Sequence, residues 1–252
     1  MRRALTLLAL GALTAFGSDF ASGANLLTNG NLDKCDATEI VPGFFLPKPR
    51  NWANVGTRVI TGPYEDEMSS EPWAGPAPTP VTTDSDANPP GGVGIGMDGA
   101  VFFKAFSGNA TDGAATGHLY QDVPATAGTT YQMTGWAGAE ANLLVQDAQF
   151  AIEFRNGGGG LLGGTTLSLL PNLFVPNGQP FNYKQYTLSA LAPAGTVSVR
   201  ARASFINGLG NPAGGGQAFV IDDFSLDVVP EPGSAVLGLA GALGTLRRVR
   251  RR

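Results

Sequence analysis

From Thr196 to Phe205 the chain alternates without a break: Val197, Val199, Ala201, Ala203 and Phe205 share one parity, and Ser198, Arg200, Arg202 and Ser204 share the other. Successive side chains of a β-strand point to opposite faces, so this run predicts a strand with one buried and one wet face. Ala148 to Arg155 repeats the pattern, with Phe150, Ile152 and Phe154 opposite Gln149, Glu153 and Arg155. Turn signals separate such runs at Asn88 to Gly92, Asn156 to Gly160, Pro176 to Pro180 and Asn211 to Gly216. Glycine is abundant, 36 residues in 252, which discourages helices, and the glycine-rich stretch from Gly157 to Gly164 is expected to be loop, without the strand-to-helix context of a phosphate cradle. Many short strands with this punctuation predict an all-β jelly-roll β-sandwich.

One strand changes parity midway. Phe219 and Ile221 share a face, yet Phe224, Leu226 and Val228 continue on the opposite parity, and the alternation breaks at Asp222-Asp223. One inserted residue does this, so a β-bulge is expected there. Its two adjacent carboxylates either bind a hard cation, calcium being the natural one for a secreted acidic protein, or cap the turn and face solvent.

The two ends read as targeting segments. Arg2 and Arg3, an apolar run from Ala4 to Phe16 and Ser22-Gly23-Ala24 have the order of a signal peptide over residues 1–24, read by signal peptidase. At the other end come Val229-Pro230-Glu231-Pro232, a short apolar helix-like run from Ala235 to Leu246, and arginines at 247, 248 and 250–252. That tail, 229–252, resembles the PEP-CTERM sorting signal. The resemblance implies recognition and removal by an exosortase, only transient contact with the inner membrane, and a product at the surface or in the extracellular matrix of a bacterium. An uncut membrane anchor is the alternative. Without the two ends, nine Lys and Arg stand against eighteen Asp and Glu, a formal charge of −9 in place of −4 for the whole chain. A body this acidic argues against nucleic acid as a partner, because phosphate backbones reward clustered basic residues.

Cys35 is the single cysteine, so no internal disulfide forms and the domain, 25–228, stands on its core. The spacings of a zinc site are missing. An acidic, proline-rich stretch at about 64–90, with Glu65, Asp66, Glu67, Glu71, Asp84 and Asp86, reads as an inserted, solvated loop.

Several segments occur in an order that resembles carbohydrate-binding modules of the CenC type, which have a galactose-binding-like jelly roll. They are Asn25-Leu26-Leu27-Thr28-Asn29-Gly30-Asn31-Leu32-Asp33, Pro49-Arg50-Asn51-Trp52, Leu119-Tyr120-Gln121-Asp122-Val123, Gly128-Thr129-Thr130-Tyr131-Gln132-Met133, Ala192-Pro193-Ala194-Gly195-Thr196 and Val220-Ile221-Asp222-Asp223-Phe224-Ser225-Leu226. Leu32 and Asp33 replace the usual Phe and Glu of the first. The resemblance implies a structural calcium held by Asp33 together with Asp222 or Asp223, and it implies binding of extracellular polysaccharide.

Sugar recognition needs aromatic faces and planar polar groups on an exposed strand face or rim. If Tyr131, Met133 and Gly135 face the core, Gln132, Thr134 and Trp136 face outward, which makes Trp136 beside Gln132 a candidate platform. Trp73, in the acidic stretch, is a candidate loop anchor; either tryptophan can instead pack internally, and Trp52 is expected to plug the core. Tyr183 and Tyr186 differ in parity, so only one of them can share that outer face. His118 is the only histidine, with no serine or cysteine placed beside it in sequence to suggest a nucleophile pair. Glu140 and Glu153 are the kind of carboxylate pair a glycosidase would use, but any acidic chain offers such pairs. The sequence thus predicts a secreted, non-catalytic surface or matrix protein that binds polysaccharide, or else a purely structural or adhesive component with no sugar site.

Overall fold

The computed structural model describes residues 24–32, 34–41, 44–58, 69–73, 100–104, 114–140, 142–173, 183–209 and 219–230. The strands are β1 (Cys35–Val41), β2 (Phe44–Pro49), β3 (Ala53–Arg58), β4 (Ser69–Trp73), β5 (Ala100–Lys104), β6 (Ala115–Pro124), β7 (Thr130–Ala139), β8 (Asp147–Arg155) and β9 (Leu161–Ser168). A single helical turn, α1 (Leu170–Leu173), leads to β10 (Lys184–Leu191), β11 (Ser198–Gly208) and β12 (Phe219–Val229). Two five-stranded antiparallel sheets, β10-β7-β12-β5-β4 and β3-β6-β11-β8-β9, form a jelly-roll sandwich, and β1 and β2 pair as a separate hairpin.

The alternations seen in sequence are those of the sandwich, except that β11 begins at Ser198 and Val197, expected on the buried face, precedes it and is exposed. Along β11, Val199, Ala201, Ala203 and Phe205 are buried, while along β8 Phe150, Ile152 and Phe154 are fully buried. Aromatic contacts join the two layers: Phe150 meets the Phe224 ring edge-on at 4.9 Å and the Tyr186 ring at 6.0 Å, and Tyr131 lies 5.9 Å from Phe154. Edge-to-face geometry suits the positive rim and negative face of neighbouring rings. Trp52 does plug this core, its ring 5.4 Å from Phe224 and its Nε1 donating to the Asn29 carbonyl at 3.0 Å.

The parity slip in β12 is a bulge. Asp222 pairs with Trp136 and Ser225 with Thr134, so Asp223 and Phe224 together oppose Gly135. Asp223 takes the left-handed conformation, φ 46°, which a short polar side chain tolerates better than most. The insertion turns Phe224 inward, and Gly135 makes the room: a Cβ there would come within 2.7 Å of the Phe224 ring. The first described segment then clamps the bulge. Phe224 N–H donates to the Gly30 carbonyl at 2.7 Å, and Asn25 Nδ2 donates to the Phe224 carbonyl at 2.9 Å. Asn25 Oδ1 accepts from Leu226 N–H at 3.0 Å. Gln121, buried on β6, ties the same segment to the second sheet through bonds to both backbone groups of Thr28 and to the Asn51 carbonyl.

Two expected loops contain strands. Ser69–Trp73, inside the acidic stretch, form the edge strand β4, where Pro72 is tolerated because an edge leaves one row of backbone groups without a ladder partner. Leu161 to Gly164 begin the edge strand β9. Glycine is needed there for close approach: a Cβ on Gly164, at φ +148°, would lie 1.9 Å from the Ile152 carbonyl oxygen. The leader through residue 23, Asp33, the rest of the acidic stretch and the tail from Glu231 onward lie outside the described residues, as does the sorting motif beyond Val229 and Pro230. Among the described residues no helix is long and apolar enough to cross a bilayer.

Candidate functional site

The outer face of β7 carries the residues that parity placed there. Tyr131, Met133 and Gly135 are buried toward the core, and Gln132, Thr134 and Trp136 are half-exposed on the opposite side. The neighbouring strand β10 pairs Gln185 with Trp136, Thr187 with Thr134 and Ser189 with Gln132, and those three β10 residues are exposed. Gln132 Nε2 donates to Ser189 Oγ at 3.2 Å across the pair. Tyr186 turns into the core, whereas Tyr183 lies over Gly138 on the outer face, 2.8 Å from where a Cβ would stand. The open β10–β7 surface therefore presents two aromatic rings, Trp136 and Tyr183, beside the planar amides of Gln132 and Gln185.

The row Gln185, Trp136, Asp222 continues across the sheet. One residue beyond the Ile221–Val101 pair it reaches Ala100 and its partner Trp73. Trp136 and Trp73 thus occupy one row, three strand steps or about 14 Å apart at the usual spacing. Asp222, between them, is buried, and its Oδ1 accepts from Asp223 N–H at 2.8 Å. Asp223 is half-buried at the bulge, and Asp33 lies outside the described residues. Among the described residues no three His, Cys, Asp or Glu side chains converge as a metal site.

The other sheet holds a site that sequence reasoning missed. On its outer face a cavity of about 370 Å³ is lined by Val55, His118, Tyr120, Glu153, Arg155, Arg200 and Arg202. Register explains the assembly. Arg200 sits between Asp122 and Glu153, Arg202 between Tyr120 and Ala151, and Ser204 between His118 and Gln149. Direct and diagonal cross-strand neighbours are within reach of long side chains. Arg200 grips Asp122 through Nε and Nη2 at 2.6 and 2.7 Å and lies over the Tyr120 ring. Glu153 accepts from Arg202 Nε and Arg155 Nη2, both at 2.7 Å. Arg155 Nη1 also donates to the Gly159 carbonyl at 3.0 Å.

Charge sets the protonation states here. Burial, reinforced by the Arg202 cation, pushes the His118 imidazole below its ordinary pKa. Burial pulls the Glu153 carboxyl upward, but hydrogen bonds and charge from Arg155 and Arg202 outweigh it and hold that carboxyl below its ordinary range. His118 Nδ1 faces Arg202 Nη1 at 3.3 Å and Ser204 Oγ at 2.8 Å. A guanidinium only donates, so Nδ1 is the acceptor and the ring proton sits on Nε2. The fold therefore does place a serine beside the only histidine, contrary to the expectation from sequence, because Ser204 and His118 are cross-strand partners. Ser204 is fully buried and also accepts from Arg202, so its oxygen is not presented to a substrate. Glu153, on β8, lines this cavity, whereas Glu140, the residue after β7 of the other sheet, does not.

No family model and no curated protein matches the sequence. Solved structures align with the chain at low identity and at TM-scores below 0.5. The enzymatically active domain of bacteriophage CBA120 tailspike protein 4 is 12% identical, with a TM-score of 0.48 over 81% of this chain and 21% of that chain. The α-L-arabinofuranosidase MgGH51 is 14% identical, with a TM-score of 0.46 over 83% of this chain and 27% of that one. The CBM22-1 xylan-binding domain of Xyn10C from Paenibacillus barcinonensis is 10% identical, with a TM-score of 0.42 over 83% of this chain and 97% of that domain. The chain thus spans about a fifth of the tailspike structure and about a quarter of the arabinofuranosidase.

Proposed function

We propose that this is a secreted, non-catalytic protein of the bacterial surface or extracellular matrix that binds polysaccharide through the outer face of β10 and β7. The observation that supports the reading best is the pairing of Trp136 and Tyr183 with Gln132 and Gln185 on one open strand pair. Aromatic faces cover the apolar side of a pyranose, and planar amides bond its hydroxyls. Trp73 shares their backbone row, three strands away, and is the further aromatic the reading includes. Export follows from the leader, through signal peptidase, and from the tail, through an exosortase, with membrane contact limited to that passage.

A structural calcium belongs to the same proposal, with Asp33 and either Asp222 or Asp223 as ligands. Binding to the folded state alone would raise the melting temperature with added calcium and lower it with chelator. An unchanged melting temperature in both arms removes the metal from the reading.

Glycan-array screening of the full chain, compared with Trp136→Ala, tests the sugar site. Retention of one neutral glycan class that is lost in the variant, with circular dichroism unchanged, is the expected result. If no glycan is retained, or if the variant binds equally well, the protein is a structural or adhesive matrix component without this sugar site.

A further inference from the structure

We propose that the cavity on the outer face of the β3-β6-β11-β8-β9 sheet is a second binding site, for a uronate residue of an acidic polysaccharide, whose carboxylate is held by Arg155, Arg200 and Arg202. The site lies on the sheet opposite the Trp136 platform and does not depend on it. Its volume, about 370 Å³, falls within the usual range of small-molecule sites, about 300–1,000 Å³.

The charge of the site is unbalanced. Three guanidinium groups face two carboxylates, Asp122 and Glu153, leaving one net positive charge in a body that is otherwise strongly acidic. His118 is neutral near pH 7 and adds nothing. An anion is the complement that such a surplus lacks.

Each arginine also keeps a donor. Arg155 Nε is buried without a hydrogen-bond partner. Arg200 spends Nε and Nη2 on Asp122, which leaves Nη1. Arg202 spends Nε on Glu153 and Nη1 on Ser204 and His118, which leaves Nη2. The three side chains are already fixed by their carboxylate, carbonyl and ring contacts, so a ligand orders little on arrival.

Shape favours a sugar acid over a bare ion or a nucleic acid. Half-exposed Val55 and the Tyr120 edge provide apolar contact for ring carbons beside the charged groups. A carboxylate has two oxygens that can take single charge-assisted bonds from separate guanidinium groups. The surplus is a single charge, too little for the dense phosphates of nucleic acid but suited to one carboxylate per sugar.

The test is calorimetric titration of the full chain with trigalacturonate, its neutral counterpart galactotriose and sodium sulfate. Trigalacturonate should bind, and Arg155→Gln and Arg200→Lys should each weaken it at least about tenfold, the loss of one charge-assisted bond. Arg200→Lys keeps the charge and loses the Nη1 donor, and circular dichroism of both variants separates lost binding from lost fold. Trp136→Ala should leave trigalacturonate affinity unchanged. Equal affinity for trigalacturonate and galactotriose in the Trp136→Ala variant, equal competition by sulfate there, or retention of trigalacturonate binding in both folded arginine variants overturns the proposal. None of those outcomes bears on neutral-glycan binding at Trp136.

Discussion

The Arg200 guanidinium lies over the Tyr120 ring, its Cζ 3.5 Å from the ring centroid, while Nε and Nη2 hold Asp122. Two strands set this geometry. Asp122 is the direct cross-strand partner of Arg200, and Tyr120 is the diagonal one, so a single side chain engages both. Arg200→Lys keeps the charge but loses the flat face and the fork. It should destabilise the fold by about 1 kcal/mol, since Asp122 is 40% exposed and its half of the pair is partly screened. Urea unfolding of Arg200→Lys, Tyr120→Leu and the double variant should show a combined loss smaller than the sum, because both changes remove the same stack.

Gly135 and Phe224 form a matched pair across the bulge. A methyl on Gly135 would lie 2.7 and 2.8 Å from two Phe224 ring carbons and 3.0 Å from the Phe150 ring. Gly135→Ala should therefore cost about 1–3 kcal/mol by overpacking. Phe224→Leu in the same background should recover part of that loss in thermal melts, whereas Phe224→Leu alone destabilises.

Gln121 binds the first described segment to the core with three hydrogen bonds. Gln121→Glu replaces the amide donors with acceptors, so the Thr28 and Asn51 carbonyls lose their partner. Each lost partner is worth about 1–3 kcal/mol if the carbonyl stays dry. Amide hydrogen exchange should show faster opening of residues 25–30 in the variant, before global unfolding is affected to the same degree.

Two groups should lower the stability of the protein in turn as the pH falls. His118 has a folded-state pKa below its unfolded value, so between the two the unfolded chain binds more protons, and stability falls as the pH drops below about 6.5. Glu153 is also depressed, and its contribution is present above the unfolded value of about 4.3 and is lost as the pH falls toward the folded one. Melting temperature against pH should show both declines, and His118→Asn should remove the upper one.

Gly138 leaves room for the Tyr183 ring on the outer face. Gly138→Ala should displace that ring and weaken neutral-glycan binding several-fold. Trigalacturonate binding at the opposite sheet should be unaffected, a difference that titration of both ligands will show.

Much of the architecture was legible from periodicity alone. Of the alternation at Thr196 to Phe205, the part from Ser198 onward became β11, and the break at Asp222-Asp223 became the bulge, because side-chain parity is a property of one strand and needs no partner. Trp136 and Gln132 were placed on the outer face by the same rule. The strands in the acidic stretch and after the Asn156 turn were hidden, since Pro72, Gly163 and Gly164 are poor strand formers that only an edge position accommodates. For the second site a partial signal existed: Arg155, Arg200 and Arg202, three of the nine basic residues of the body, all occupy wet-face parity in predicted strands.

The sequence by itself determined the class of fold, the face to which each strand residue belongs, and the acidity of the body once its two ends are set apart. Those are local or additive properties of the chain. Tertiary structure alone decided which wet faces meet. Tyr120 and Arg202 stand 82 positions apart, and His118 and Ser204 stand 86 apart, yet each pair lies side by side because β6 and β11 are neighbours in one register. Strand order and register arise from packing the whole sandwich around Phe150, Phe154 and Phe224, and no local pattern encodes them.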